Sequence, residues 1–434
     1  MSLVHRVEDL FKDKKYPERW QITTLNTVAT IQNGYAFKSR LFNSTEGFPL
    51  LRIRDILESK IETYYSGDFS EEYIVNADDL IIGMDGDFNH ALWKNKPTLL
   101  NQRVCRIKPN ENFILKKFIF YGIGEFLKII NENTSSTTVK HLSSKSINEI
   151  PFPLPPLPEQ ERIVAKLDSL FAQHETMKKA LGRIPQLLKD FRQQVLTQAI
   201  TGKLTNVPDM QMRLMSDFFD VKTGATPKKG EKKFYENANI YWIKSGEVKN
   251  SYIYKTEELI TELAVKTTNA KIFPKDTILI AMYGEGKTRG QIGWMKIEAA
   301  TNQAIAALVN ENLELITRKY IYLYCLSQYN EIRAKAEGGN QPNLNLSKIK
   351  NWEITIPKLI IEQEKITNRV ENLFAKADII EERYKTLKEK IDSLPQAILH
   401  KAFKGELVPQ LPSDGDAKDL LEEILKLKKE IKKK

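Results

Sequence analysis

Apolar residues return every three or four positions in two long stretches of the chain, and in consecutive runs between them. The first stretch places Ile163, Leu167, Leu170, His174, Met177, Leu181, Ile184, Leu188, Phe191 and Val195 on one seam. The second places Ile366, Val370, Leu373, Ala377, Ile380, Tyr384, Leu387, Ile391, Leu394 and Ile398 on another. Alternating steps of four and three, kept over several heptads, predict coiled-coil helices. Each stretch holds one proline, Pro185 or Pro395, which should kink its helix or start a new segment. The register survives both, so a kinked rod is expected rather than a hairpin. His174 on the seam is read as a packing residue, not a ligand.

The two stretches are copies of one another. "EQERIVAKLDSLFAQ" from Glu159 returns as "EQEKITNRVENLFAK" from Glu362, and the offset of 203 residues holds without a gap to Leu204 and Leu407, with 12 of 46 pairs identical. A proline-bearing connector precedes each copy: "IPFPLPPLPEQ" (150–160) and "ITIPKLIIEQ" (354–363). Prolines there enforce an extended segment that stops a strand and aims the helix, a structural hinge. The regions before the helices correspond more faintly. In each, an aspartate (Asp78 or Asp276) precedes an apolar strand, followed by Met84-x-Gly86 or Met282-x-Gly284, a polar loop, and Asn101-Gln102 or Asn302-Gln303. An internal repeat of this kind predicts two similar domains, each followed by a long helix.

Two of the loops imitate ligand motifs. "AMYGEGKT" (281–288) ends like a nucleotide-binding loop, but Ala281 stands where the first glycine belongs, and Arg289-Gly290-Gln291-Ile292-Gly293 is a poor opening for the phosphate-binding helix. Its counterpart in the first half, "MDGDFNHALWK" (84–94), has no Gly-Lys-Thr at all. That counterpart resembles the start of a calcium loop through Asp85, Asp87 and Asn89, yet His90 and Lys96 occupy the places that need glycine and glutamate. Neither a metal site nor an NTPase site is expected. An ATPase built on Gly286-Lys287-Thr288 stays as one alternative, which nucleotide binding would support; a coiled-coil scaffold with no DNA role is the other.

Composition narrows the partner. With 434 residues, two or more domains are expected. Sixty-six Lys and Arg against 56 Asp and Glu leave a net charge of +10, a balance that attracts nucleic acid. The two cysteines, Cys105 and Cys325, are too few for a disulfide framework or a zinc site by themselves. No signal-peptide core and no run of about 18 apolar residues is found, so no membrane association and a cytoplasmic location are expected. The tail "DAKDLLEEILKLKKEIKKK" (416–434) predicts an amphipathic helix with a basic end, read as a solvated terminus rather than a partner-binding element.

The chain resembles the specificity subunits of type I restriction-modification enzymes. The resemblance rests on "PLPPLPEQERIVAKLDSLFAQ" (153–173), "FRQQVLTQAITGKL" (191–204), their counterparts "IEQEKITNRVENLFAK" and "ILHKAFKGEL", and the domain openers "GYAFKS" (34–39) and "TGATP" (223–227); "PKLIIEQ" departs from the proline-dense form. The resemblance implies an α+β chain of two similar α/β target-recognition domains, separated by two long antiparallel coiled-coil conserved regions in a pseudo-twofold repeat. The corresponding divisions are 1–157, 158–204, 205–357, 358–412 and a basic tail at 413–434. It further implies that each domain reads one half of a split double-stranded DNA target. Two methyltransferase subunits carrying S-adenosylmethionine and two ATP- and magnesium-dependent restriction subunits would dock on the helices. A straight helix of the repeat's length would span ~69 Å, enough to separate two domains by one to two DNA turns. The chain lacks an adenine-positioning Pro-Pro-Tyr or Pro-Pro-Phe motif and any glycine-rich cofactor fingerprint, so no catalytic residue is assigned and no cofactor of its own is expected.

The repeat also sorts candidate DNA contacts. Shared Asn101, Gln102, Asn302 and Gln303 are expected to serve the scaffold or the DNA backbone. Divergent loop positions are expected to read bases: Asp87, Asn89, His90 and Lys94 in the first domain, and Glu285, Lys287, Thr288, Arg289 and Gln291 in the second. Phosphate contacts are expected from Lys38, Arg52, Arg54, Arg103 and Lys140, and from Lys228, Lys229 and Lys244.

Overall fold

The computed structural model describes residues 15–58, 60–134, 140–284, 288–337 and 344–431. It divides into two compact units, residues 1–180 with 388–434, and residues 181–387.

In the first unit, Gln21–Thr24 pairs antiparallel with Pro151–Leu154 and so ties the beginning of the domain to the proline connector. Ala29–Asn33, Val104–Pro109, Leu80–Gly83 and His90–Leu92 follow one another across an antiparallel sheet. A second sheet carries Phe48–Leu51 parallel to Thr98–Leu100, with Tyr64–Tyr65 antiparallel on the other side of Phe48–Leu51. The helix Lys116–Glu132 buries Phe118, Ile119, Ile123, Phe126, Leu127 and Ile130, spaced three and four apart, in the same core as Leu80, Ile82 and Ile107. Gly122 on that stripe admits the ring of Phe403, since a Cβ there would stand 2.4 Å from a Phe403 ring carbon. Cys105 is buried in this core, where burial pushes its thiol up to about 12.

The second unit repeats the order. Met210–Leu214 pairs with Glu353–Pro357. Asp220–Thr223, Ile305–Val309, Ile278–Ala281 and Ile292–Met295 cross one sheet, with Ser251–Ile253 added at its edge. Ile240–Ile243 lies parallel to Ala299–Thr301 in the other, with Glu258–Ile260 antiparallel beside it. Equivalent details recur. Asp78 and Asp276 both take positive φ, 71° and 65°, a conformation Asp tolerates better than most residues, and their N–H groups donate to Trp93 O at 2.7 Å and Met295 O at 2.8 Å.

The repeated "EQ" motif has a structural purpose that its spacing alone does not reveal. Gln160, fully buried, donates to the carbonyls of Phe113 and Pro155 and accepts from Leu115 N–H. Gln363, also buried, donates to Pro357 O and accepts from Thr317. Each glutamine takes up one connector carbonyl, Pro155 O or Pro357 O, and so keeps a buried backbone acceptor paired.

Both prolines act differently. Helix Leu157–Gly182 ends before a new one, Ile184–Ile200, that takes Pro185 in its first turn, where a missing N–H costs nothing. Ile360–Phe403 runs as one element through Pro395. The seam residues Ile163, Leu167, Leu181, Leu188, Ile366, Val370 and Ile391 are buried, with Leu170 and Leu373 half-buried. Ile380 departs from expectation and is 48% exposed. At its level the contact is polar: Arg192 reaches Asp378 at 2.7 Å and Glu381 at 2.8 Å, so the apolar side chain has no facing surface to cover. His174 is buried and its Nε2–H donates to Ile391 O at 2.9 Å.

The C-terminal helix Ala417–Ile431 is not a solvated end. Ala417 and Ile424 are buried within the first unit, Ala417 N–H donates to Arg19 O, and Lys428 donates to Asn26 O at 2.6 Å. Arg162 grips Asp414 with two bonds of 2.7 Å just before this helix, and that guanidinium holds the Asp414 carboxyl below its usual range. The amphipathic pattern was legible; its partner, a surface brought together from distant segments, was not. Among the described residues no helix is long and apolar enough to cross a membrane.

Candidate DNA-binding surfaces

Parallel strands bring the residues that follow them to the same end of a sheet. In the first unit, Phe48–Leu51 runs out into Arg52 and its neighbour Thr98–Leu100 into Asn101-Gln102-Arg103. The result is a cleft of about 440 Å³ that gathers Arg52, Arg54, Asn101, Gln102 and Arg103 with Asp85. Arg52, Arg54 and Arg103 are exposed, and so is Lys38, next to Ser39 on the cleft wall. Clustered guanidiniums in a concave surface focus a positive potential suited to a phosphate backbone. Asn101 is buried and turns its Oδ1 to Gln102 N–H at 3.0 Å, a scaffold contact. Asp85, absent from the expected set, accepts from His141 Nδ1 at 2.7 Å and faces Arg103 Nε at 3.5 Å, so it positions that arginine. His141 lies 56 residues away, which no local pattern discloses.

The loop at 84–89 is pinned by Phe88, which is buried despite φ of 52°. Asp87 is left exposed and Asn89 half-buried. Three neighbours expected to face DNA are placed otherwise. His90 lies in a strand and packs on the helix Lys116–Glu132, its Nε2–H donating to Phe120 O at 3.2 Å. Lys140 spends its ammonium on Asn131 O and Oδ1 at 2.7 and 3.0 Å, the cationic complement of a helix C-terminus. Lys94 is exposed but follows the Leu92 end of the hairpin, where Leu92 pairs with Leu80, whereas the loop lies beyond the Ile82–His90 pair.

Burial pushes the His90 imidazole below its ordinary 6.5, against the opposing effect of its bond to Phe120. Below that pH the unfolded chain binds the proton more readily than the folded one, so stability falls as pH drops through 6.5 toward the folded-state value. Urea unfolding of the wild type is expected to show a lower midpoint at pH 5.5 than at pH 7.5, and His90→Gln should reduce that difference. An undiminished difference in the variant would assign the pH dependence to other groups.

In the second unit, Ile240–Ile243 and Ala299–Thr301 place Lys244 and Asn302-Gln303 at the corresponding strand ends. The backbone geometry matches closely: Arg52 N–H donates to Asp55 and Lys244 N–H to Glu247, each at 2.8 Å. Asn302 accepts from Ala304 N–H and Gln303 from Thr226 Oγ1, again scaffold contacts. Lys228 and Lys229 are exposed, Lys228 standing 3.6 Å from Glu231. Lys244 is less available than expected, because Glu257 and Glu258 hold its ammonium at 3.2 and 2.8 Å.

The strands on either side of the loop that resembles a nucleotide-binding motif pair with each other. Ile278–Ala281 returns antiparallel as Ile292–Met295, so the strand leads to a strand and not to the helix N-terminus a P-loop requires. Glu285 and Lys287 lie outside the described residues. Thr288 and Arg289 are half-buried near the turn. Gln291 is not at the tip: its carbonyl accepts from Ala281 N–H at the loop's base, and it lines a separate cavity of about 870 Å³ beside Arg192 and Asn250. Among the described residues no cluster of His, Cys, Asp and Glu suited to a metal is present.

Comparison with known proteins places this arrangement. The family described as "Type I restriction modification DNA specificity domain" matches residues 17–186 and again 208–389. The chain is 36% identical to the type I restriction enzyme EcoBI specificity subunit of Escherichia coli, over 94% of this chain and 92% of that one. It is 26% identical to the EcoKI specificity subunit of Escherichia coli strain K12, over 94% and 96%. The crystal structure of the HsdS subunit from Thermoanaerobacter tengcongensis shares the fold with a TM-score of 0.64 at 16% identity, covering 91% of this chain and 99% of that one. The doubled family match falls on the two halves of the repeat, and the chain belongs to the type I restriction-modification DNA specificity family.

Proposed function

We propose that each unit reads one half of a bipartite, asymmetric DNA target, and that the chain is the non-catalytic specificity subunit of a cytoplasmic type I restriction-modification enzyme. The observation that carries this reading is a constant scaffold with a variable edge. Both units share a core strand order and the same clamp on the residue after the parallel strand, while beyond the common Met84-x-Gly86 and Met282-x-Gly284 the loops diverge in sequence. A common frame with different tips is what two different half-sites demand, because phosphates look alike in every sequence and base edges do not. Arg52, Arg54, Arg103, Lys38, Lys228 and Lys229 supply phosphate contacts; Asp87, Asn89, Thr288 and Arg289 stand where base readout belongs. Adenine methylation and ATP-driven cleavage fall to two methyltransferase and two restriction subunits, which bring S-adenosylmethionine, ATP and magnesium.

The test is methylome sequencing of a host that expresses this chain with its cognate methyltransferase subunit, against the methyltransferase alone. A split motif modified only when both are present is the expected result. Co-purification without any new motif would leave an assembly role and remove the reading function.

A further inference from the structure

We propose that Glu257 and Glu258 form an internal phosphate mimic that masks Lys244, so that the second unit grips the DNA backbone less strongly at this position than the first unit does through Arg52. The proposal rests on the DNA-reading function above and adds a difference between the two half-sites that the repeat by itself would not suggest.

The mask is built, not incidental. Lys244 Nζ lies 2.8 Å from Glu258 Oε1 and 3.2 Å from Glu257 Oε2. Glu247 fixes both sides of the contact with one carboxylate: Oε2 accepts from Lys244 N–H and Oε1 from Glu257 N–H, each at 2.8 Å. Glu258 is set by the sheet, standing opposite Trp242, two residues before Lys244. Two carboxylates on one ammonium leave a local charge of the wrong sign for a phosphate.

The first unit has the same frame without the mask. Leu50, two residues before Arg52, stands opposite Thr63, whose carbonyl takes Leu50 N–H at 2.9 Å, so an uncharged residue occupies the place of Glu258. The adjacent Glu62 faces Lys60 at 2.6 Å, and no contact joins it to Arg52 among the described residues. Arg52 therefore offers its guanidinium to the cleft. The ion pairs on Lys244 are partly solvated, with Glu257 68% and Glu258 45% exposed. Each exposed pair alone is weak, but a phosphate must replace both at once, so Lys244 stays with the two glutamates and adds little to backbone binding.

The experiment measures binding of the full chain, assembled with its methyltransferase subunit, to a duplex carrying its target over a series of salt concentrations. The E257Q/E258Q variant is expected to bind about tenfold tighter at low salt, with the slope of log K against log salt steeper by about 0.9, the signature of one more neutralised phosphate. K244A should change wild-type binding less than twofold and abolish the gain in the E257Q/E258Q background. A gain that survives K244A, or a K244A loss in wild type as large as that of R52A, overturns the mask. If R52A weakens binding but E257Q/E258Q has no effect, the mask fails and DNA reading stands. If no target-dependent binding is found at all, the DNA-reading function fails and takes this proposal with it.

Discussion

Exchanging residues 1–157 for the first domain of another specificity subunit is expected to replace one half of the methylated sequence and leave the other half unchanged. Each mismatched base pair typically costs about 1–3 kcal/mol, so three altered positions move preference by roughly 3–9 kcal/mol, a near-complete switch. The exchange point is physically sensible. Pro151–Leu154 closes the domain against Gln21–Thr24, and the helix starting at Leu157 opens immediately afterwards. The incoming domain must still accept Phe403, which enters the first unit's core over Gly122, and must seat the C-terminal helix on its surface. Donors with a bulkier residue at the Gly122 position are expected to lose assembly rather than change specificity, which co-purification with the methyltransferase subunit distinguishes. Methylome sequencing reads the outcome, and a change in both half-sites would contradict independent reading by the two units.

Gly34→Ala should destabilise the first unit by at least about 3 kcal/mol, the upper range for overpacking. A Cβ on Gly34 would stand 2.0 Å from the carbonyl oxygen of Asn101 and 2.4 Å from its carbon. Both are backbone atoms that no rotamer change can move. Gly224→Ala meets the equivalent obstacle in the second unit, 1.9 Å from Thr301 O. Gly86→Ala is the internal control: φ is +75° but nothing lies within 4 Å, so only the left-handed strain of about 1–2 kcal/mol applies. Two units need not unfold in one step, and hydrogen exchange resolved by residue is therefore the proper measurement. Gly34→Ala should lose protection in the first unit, Gly224→Ala in the second, each far more than Gly86→Ala. Equal losses for Gly34→Ala and Gly86→Ala would mean that the close approach to Asn101 does not constrain the fold.

These two glycines show how much of the architecture could be read beforehand. The openers "GYAFKS" and "TGATP" and the two Asn-Gln pairs are visible in the sequence as corresponding motifs. That the single glycine of each opener, Gly34 or Gly224, lets the chain pass against Asn101 or Thr301 is a contact across 67 and 77 residues of sequence. Nothing in either motif states it.

What the sequence by itself determined is whatever repeats or recurs with a short period. The doubling of the chain, the two helical seams, the strand before each polar loop and the amphipathic tail follow from residue order and spacing, because helix and strand geometry convert spacing directly into a buried face, and the excess of positive charge follows from composition. Tertiary structure decided which polar groups remain available. Lys140 is consumed by a helix end, His90 by a neighbouring carbonyl and Lys244 by two glutamates, and Gln291 sits at the base of its loop rather than the tip. Asp85 gains its role from His141, and Ile380 loses its packing where Arg192 crosses to Asp378 and Glu381. A long polar side chain has no periodic signature: its partner is set by which distant segment the fold brings within about 3 Å, and hydrogen bonds and ion pairs are decided at that range.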